Sequence, residues 1–120
     1  AKVIRIQSFE RCELCSSAMR AGGQLWTGPV HDKVFVRKML RYDSDRQSKK
    51  VLEAAAEEAS QIPYYFRADE ISAKLGTNPR PVQKIIEKLQ STGYVASKAS
   101  LNTGAFKTDA RIDQILATLK

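Results

Sequence analysis

Residues 67–97 decide the fold, and they read RADEISAKLGTNPRPVQKIIEKLQSTGYVAS. Residues 67–75 have the composition of a short helix, which Gly76 ends. A longer helix is predicted from about 80 to 92, because its apolar residues recur at helical spacing and Gly93 follows it. Two helices joined by a tight turn that contains glycine predict a helix-turn-helix.

The segments that follow extend this motif to a winged helix. Residues 94–97 and 105–108 predict two strands that pair around a loop at 102–104, and this hairpin is the wing. A helix rich in Ala and Glu is predicted at 51–62, before the motif, with an apolar stripe that includes Val51. An amphipathic helix closes the chain, with apolar residues Ile112, Ile115, Leu116 and Leu119.

Two domains are predicted on either side of a polar linker at 42–50. Residues 47–120 form the winged-helix domain. Residues 1–46 form a β-rich segment with strands at 2–7 and 24–27, followed by a basic helix. The predicted fold class is therefore α+β, with a small β-rich half zinc-ribbon and a basic helix ahead of a winged helix.

The basic helix begins after Asp32, which is a suitable N-cap residue. Its apolar residues have mixed helical spacing, and they are Val34, Phe35, Met39 and Leu40. Lysines and arginines fill most of the other positions. The alternative interpretation is an ordinary solvated helix face.

Charge is unevenly distributed along the 120 residues, whose formal net charge is +7. Residues 1–50 carry eleven Lys/Arg and five Asp/Glu, whereas residues 51–120 carry nine and eight. A folded basic protein attracts polyanions, so nucleic acid is the leading partner class. A protein-interaction domain whose positive charge serves only solubility is the structural alternative.

The predicted RNA-binding residues fall into two groups. The stronger group lies on and after the basic helix and consists of Lys33, Arg37, Lys38, Arg41, Arg46, Lys49 and Lys50. The weaker group belongs to the winged helix and consists of Arg80, Lys84, Lys88 and Lys107. Glu87 lies between two of these lysines, which lowers our expectation of phosphate binding by that helix.

Cys12 and Cys15 have the spacing of two zinc ligands from one turn. A closed structural site needs four ligands, so the pair is half a site whose partner lies elsewhere, and His31 would raise the count only to three. An unmetallated remnant and redox chemistry are the alternatives. Trp26 is interpreted as a core anchor, with stacking on a nucleobase as the alternative.

Other functional classes find no support in the sequence. No glycine-rich phosphate loop, His–carboxylate pair at helical spacing or Gly-x-Ser-x-Gly turn is present, so no catalytic residue is assigned. The chain has no apolar stretch long enough to cross a membrane and no signal-peptide core, so we expect a soluble cytoplasmic protein with no membrane contact. The start at Ala1 fits either a processed terminus or a piece of a longer polypeptide.

Three segments in the same order resemble the tRNA guanine-N2 dimethyltransferase family. They are AGGQLWTGPVHDKVFV at 21–36, IPYY at 62–65 and FKTDA at 106–110. In that family this region follows a methyltransferase domain that uses S-adenosylmethionine. The resemblance implies that the region helps to hold tRNA while a guanosine amine at the junction of two stems is methylated. It also implies that an upstream Cys-x-x-Cys completes a zinc ribbon with Cys12 and Cys15.

The sequence thus predicts the tRNA-binding C-terminal portion of a tRNA guanosine N2-(di)methyltransferase, without the catalytic domain. The parent would be an enzyme with S-adenosylmethionine as its cofactor, and this chain alone would be inactive. Its partners would be tRNA and the methyltransferase domain of the same polypeptide. The alternative is a winged-helix nucleic-acid-binding regulator in which the cysteine pair senses a metal or thiols.

Overall fold

The computed structural model describes residues 3–5, 11–20, 23–42 and 45–120. Five helices and two small antiparallel sheets make up this part of the chain, which confirms the predicted α+β class. None of its helices is long and apolar enough to cross a membrane.

The N-terminal sheet consists of two short strands. β1 (Val3–Arg5) pairs antiparallel with β2 (Gln24–Trp26), in agreement with the predicted strands. The predicted first strand also included Lys2, Ile6 and Gln7, which lie outside the described residues. A separate bridge between Arg11 and Ala18 closes the turn that carries the two cysteines.

The helix α1 (Lys33–Met39) begins where the sequence predicted, because the carboxylate of Asp32 accepts a hydrogen bond from the backbone N–H of Phe35. Its packed face contains an apolar residue that the sequence analysis did not name. Val36 is the buried residue of α1, whereas Val34 and Phe35 are exposed. The apolar spacing of this short helix was compatible with two faces, and contact with the next helix selects the one that contains Val36.

The predicted linker at 42–50 is wrong over most of its length. The helix α2 (Arg46–Glu57) begins inside it, with Asp45 as the N-cap. Asp45 accepts hydrogen bonds from the backbone N–H groups of Gln47 and Ser48 and from the Ser48 hydroxyl. The first turns of α2 are polar because they face solvent, and this made a helix resemble a linker. Val51, predicted to pack, is also exposed.

The remaining elements form one unit around a shared core. They are β3 (Phe66–Arg67), α3 (Ala68–Leu75), α4 (Val82–Ser91), β4 (Ala96–Ala99), β5 (Asn102–Thr108) and α5 (Ile112–Leu119). The three strands form an antiparallel sheet in the order β3-β5-β4. The largest fully buried apolar side chains of the core are Ile71, Ile85, Leu89, Phe106 and Ile115.

The turn between α3 and α4 follows the prediction closely. Gly76 ends α3 in the left-handed conformation at φ 66°, which favours glycine over residues that carry a Cβ. The Ser72 hydroxyl accepts a hydrogen bond from the backbone N–H of Arg80 and fixes the exit of the turn. α4 then starts at Val82, after Pro81, so Arg80 precedes the helix.

The hairpin of β4 and β5 is shifted from its predicted position. The turn lies at Ser100 and Leu101, because Ala99 pairs with Asn102. The predicted loop at 102–104 is therefore wrong, since these residues are the first part of β5. Gly and Asn favour loops when they are taken alone, but here Asn102 pairs with Ala99 and the register shifts between Lys98 and Ala99, so the strand continues past an irregularity.

Candidate nucleic-acid interface

The strongest concentration of positive charge lies on α1 and the first turns of α2. We call this the basic surface, and it consists of Lys33, Arg37, Lys38, Arg41, Arg46, Lys49 and Lys50. All of them are exposed except Lys33, which is half-buried. None forms an ion pair with another residue that the structure describes. Their charges therefore face solvent without a protein partner in that part of the chain.

Two carboxylates next to the basic surface along the chain are engaged as helix caps, and a third, Glu53, is exposed on α2 three residues after Lys50. Asp32 caps α1 and Asp45 caps α2. Hydrogen bonds from the Ser48 hydroxyl and from backbone N–H groups lower the pKa of Asp45 below its usual value. Each capping carboxylate faces the positive end of its own helix, so part of its charge is balanced there.

The lysines of α4 are in a different environment. Lys84 and Lys88 are exposed, but Glu87 lies beside Lys88 and three residues after Lys84 on the same helix. The side chain of Gln83 donates a hydrogen bond to Glu87, which holds this carboxylate on the exposed face. A phosphate approaching α4 would meet a negative charge between two positive ones.

Arg80 and Lys107, both predicted to bind RNA, make contacts within the chain. Arg80 Nη1 donates a 2.6 Å hydrogen bond to the backbone oxygen of Leu119, at the end of α5. Lys107 is only 4% exposed, and its Nζ lies 2.7 Å from Oε1 of Glu58. Both cations stabilise the fold at these positions, so we leave them out of the basic surface.

Glu58 lies at the centre of a buried polar cluster at the end of α2. Its Oε2 lies 2.5 Å from Nε2 of His31, and the same nitrogen is 3.3 Å from the hydroxyl oxygen of Ser100. Burial alone would raise the pKa of Glu58. Hydrogen bonds from Lys107, Ser100 and His31, together with the positive charge of Lys107, outweigh burial and lower that pKa below its usual value.

This cluster helps to set the position of α1. His31 precedes the helix by two residues and reaches Glu58, while the backbone N–H of Val30 donates to the carbonyl of Ser60. The two contacts attach the start of α1 to the segment after α2. The basic surface is thereby held against the rest of the chain.

The FKTDA segment is structural in this chain. Besides the Lys107 pair, the Thr108 hydroxyl accepts a hydrogen bond from the backbone N–H of Ala110. Asp109 accepts a hydrogen bond from the backbone N–H of Val95. All three polar side chains of the segment make contacts within the chain. The sequence analysis predicted neither these contacts nor the buried position of Glu58. No local signal in the sequence identifies the pair, because Glu58 and Lys107 both have polar neighbours along the chain.

The two cysteines lie in the turn that the Arg11–Ala18 bridge closes. Both are free thiols, and Cys15 is exposed. Hydrogen bonds from the side chain and backbone of Ser17 lower the pKa of the Cys15 thiol. In the described part of the chain, no three Cys, His, Asp or Glu side chains form a group that could hold a metal ion. Two thiols do not fit a closed zinc site.

Trp26 is not a core residue, in contrast to the prediction. It is half exposed, and its ring lies over Gly28 while its indole N–H donates to the carbonyl of Pro29. An added Cβ on Gly28 would lie 2.5 Å from Cζ2 of the ring. The glycine is therefore required by the close approach of the indole.

Unpaired cations gathered on two adjacent helices of an α+β fold are typical of proteins that bind polyanions. The sequence model described as N2,N2-dimethylguanosine tRNA methyltransferase matches residues 1–120. The chain therefore belongs to this family, as its three sequence segments indicated.

Individual relatives agree with the family match. The tRNA (guanine(26)-N(2))-dimethyltransferase of Schizosaccharomyces pombe is 32% identical over 108 residues, which cover 82% of this chain and 20% of that protein. The enzyme of the same name from Methanothermobacter thermautotrophicus is 26% identical over 110 residues, covering 87% of this chain and 29% of that protein.

A solved structure has the same fold over most of the chain. It is described as the complex of Trm1 from Pyrococcus horikoshii with S-adenosyl-L-methionine. The TM-score is 0.69 at 25% identity, and the match covers 85% of this chain and 29% of that one. The chain thus spans less than a third of the length of these relatives.

The described residues do not fit an S-adenosylmethionine site of the doubly wound type. Such sites lie at the carboxyl ends of parallel strands, beside a glycine-rich turn. Both sheets described here are antiparallel. We assign no cofactor contact to these residues.

Proposed function

We propose that this chain is the tRNA-binding portion of a tRNA guanosine N2-methyltransferase that uses S-adenosylmethionine. The family match and the names of the relatives support the activity of the whole protein. The small share of those relatives that the chain spans supports a separate methyltransferase domain as its partner within the polypeptide. Methyl transfer would take place on that domain, while this chain binds the substrate.

Within the chain, residues 47–120 are proposed to be a winged helix and residues 1–46 a half zinc-ribbon with a basic helix. The order α2-β3-α3-α4-β4-β5, with β5 between β3 and β4, supports the winged helix. The β1–β2 sheet and the cysteine turn support the ribbon half. A second cysteine pair upstream of Cys12 would supply the other two thiolates that a zinc ribbon needs.

The basic surface carries the proposal that tRNA binds here. Seven Lys/Arg and two Asp/Glu lie between residues 33 and 50. Helix stability does not account for this charge pattern. The first turn of α2 contains Arg46 and no acidic residue, whereas the helix dipole favours negative charge at that end. Binding of these cations to the phosphate backbone of RNA would account for the charge pattern.

The test compares two double variants of the full chain. Arg37→Ala with Lys38→Ala removes two cations from the basic surface, and Lys84→Ala with Lys88→Ala removes two from α4. We expect the first pair to weaken tRNA binding more and to reduce the salt slope by about one unit for each phosphate that is no longer neutralised. The second pair should have the smaller effect, because Glu87 already opposes its two lysines.

Fluorescence anisotropy with labelled tRNA at several salt concentrations gives both quantities. Circular dichroism checks that both double variants keep the fold, since all four side chains are exposed. If the α4 double variant weakened tRNA binding more than the other one, α4 would be the tRNA-binding surface instead of the basic surface. Binding that does not respond to salt would instead support a protein-interaction domain.

A further inference from the structure

Two large aromatic side chains near the cations of the basic surface are mostly exposed. Phe35 is 60% exposed and Tyr42 is 75% exposed. Phe35 belongs to α1, and Tyr42 follows in a turn where its backbone N–H donates to the carbonyl of Met39. Neither ring forms an aromatic contact with another described residue. Exposed aromatic side chains interleaved with cations are typical of surfaces that bind single-stranded nucleic acid.

The two rings and Lys38 form a row along the chain. Lys38 lies on α1 three residues after Phe35, so helical periodicity places these two on one side of the helix, and Tyr42 follows four residues later in the turn after α1. Arg37 and Arg41 are exposed beside this row. The helix itself contains no acidic residue. The row thus combines two flat apolar faces with a strong positive charge.

We propose that Phe35 and Tyr42 stack on unpaired nucleobases of the bound RNA while Lys38 contacts the phosphate backbone between them. This inference rests on the proposed function, and it adds that α1 recognises single-stranded nucleotides. In a duplex the base faces are covered by neighbouring bases, and only an unpaired nucleotide offers a face to an aromatic side chain.

The spacing of the two rings suits a short stack of unpaired bases. Hydrogen bonds to the third or fourth preceding carbonyl continue to Tyr42, so seven residues span roughly 10 to 14 Å at a rise of about 1.5 to 2.0 Å per residue. Stacked neighbours in one strand are about 3.4 Å apart, so two rings enclosing two stacked bases would be about 10 Å apart. Unpaired nucleotides in a loop or a junction can offer such a stack.

The charge of the row favours RNA over a protein partner. A protein surface that covered Phe35 and Tyr42 would also have to supply carboxylates for Arg37, Lys38 and Arg41. One RNA strand carries both the negative phosphates and the flat bases, so it matches both components of the row.

The test uses variants that keep apolar character but remove the aromatic face. Phe35→Leu with Tyr42→Leu is compared with Phe35→Tyr with Tyr42→Phe, which keeps both rings. Tyr65→Leu is the matched control, because Tyr65 is an exposed aromatic residue away from α1. The probes are an RNA hairpin with an unpaired loop and a blunt RNA duplex of equal length, each titrated into the full chain at several salt concentrations.

We expect the leucine pair to weaken hairpin binding by about tenfold for each base that is no longer stacked, with the salt slope unchanged. Binding to the duplex should stay the same. The variant that keeps both rings should bind the hairpin like the original chain, as should Tyr65→Leu.

Two results would overturn the inference. One is unchanged hairpin binding by the leucine pair, and the other is an equal decrease in affinity for the hairpin and the duplex. If Arg37→Ala with Lys38→Ala still lowers the salt slope, the proposed tRNA surface stands and only the stacking role fails. If neither pair of substitutions affects RNA binding, the tRNA surface fails as well, and a protein partner takes its place.

Discussion

Nζ of Lys107 lies 2.7 Å from Oε1 of Glu58, and both residues are at least 96% buried. The pair joins the end of α2 to β5, and His31 adds the segment that leads into α1. A single carboxylate therefore connects three parts of the chain. Its loss would affect the fold and the position of the basic surface together.

Removing one member of this pair should destabilise the protein strongly. Lys107→Met leaves the Glu58 carboxylate buried without its cation, and we expect a loss of about 3 kcal/mol in the free energy of unfolding. Urea denaturation measures this change. Lys98→Met on the neighbouring strand is the control, because Lys98 is exposed.

A second substitution should recover part of that loss. Glu58→Gln added to Lys107→Met removes the unpaired charge and keeps an amide that can bond His31. If Lys107→Met costs no more than Lys98→Met, the pair contributes little to stability and the structural role assigned to it is wrong.

Stability should fall in acid partly because of Glu58. Its pKa in the folded protein is lowered, so its contribution is complete above the usual value of 4.5 and is lost as the pH falls through the folded pKa. Glu58→Gln removes this dependence. We expect the stability difference between the original chain and the variant to shrink below about pH 4.5.

Thermal or urea unfolding between neutral and acidic pH checks this expectation. Asp45 and Asp69 also have lowered pKa values. Both remain in the variant, so their contributions cancel in the comparison. A difference that is constant with pH would contradict the assignment of the lowered pKa to Glu58.

Gly28→Ala should displace the indole of Trp26. The new Cβ would lie 2.5 Å from Cζ2 and 2.8 Å from Cε2, so the ring must move away. The hydrogen bond from the indole N–H to Pro29 should break as a result. Trp26 is the only tryptophan, so its fluorescence reports this change directly, and we expect emission at longer wavelength as the ring becomes more exposed.

Gly23→Ala provides the matched control for this experiment. Among the described residues, no atom lies within 4 Å of a Cβ added at Gly23, and its backbone is not left-handed. Its emission spectrum should match that of the original chain. Identical spectra for Gly28→Ala and the original would mean that the ring does not lie over Gly28 in solution.

The 120-residue chain alone should not bind zinc stoichiometrically. Cys12 and Cys15 supply two thiolates, and the described residues bring no third ligand to them. Plasma mass spectrometry after dialysis against zinc measures the metal content. The blank is the double variant with Cys12→Ser and Cys15→Ser, which lacks both thiolates. One tightly held zinc per chain, absent from the blank, would contradict the half-site and indicate that ligands are shared between chains.

Local sequence signals predicted the C-terminal part well. The αL glycine at 76 and the apolar spacing of Ile85, Ile86 and Leu89 act over a few residues, so they can be recognised without knowing the fold. The last helix is predictable for the same reason, and Ile115 and Leu119 are buried as expected.

Features that depend on distant contacts were not predictable in this way. Lys107 is far from Glu58 along the chain, and nothing near either residue shows that they meet. The buried face of α1 depends on how it packs against α2. The polar start of α2 was taken for a linker, because solvation and absence of structure produce similar composition. Charge along the sequence identified the basic surface, but could not show which cations were already paired.

The contacts of Val30 and His31 make α1 a preorganised element. A recognition helix on a flexible arm would lose conformational entropy on binding, which reduces affinity. Here the orientation is fixed in advance by groups that precede the helix and do not belong to its exposed face. If α1 binds RNA as proposed, the start of this helix needs no reordering when the complex forms.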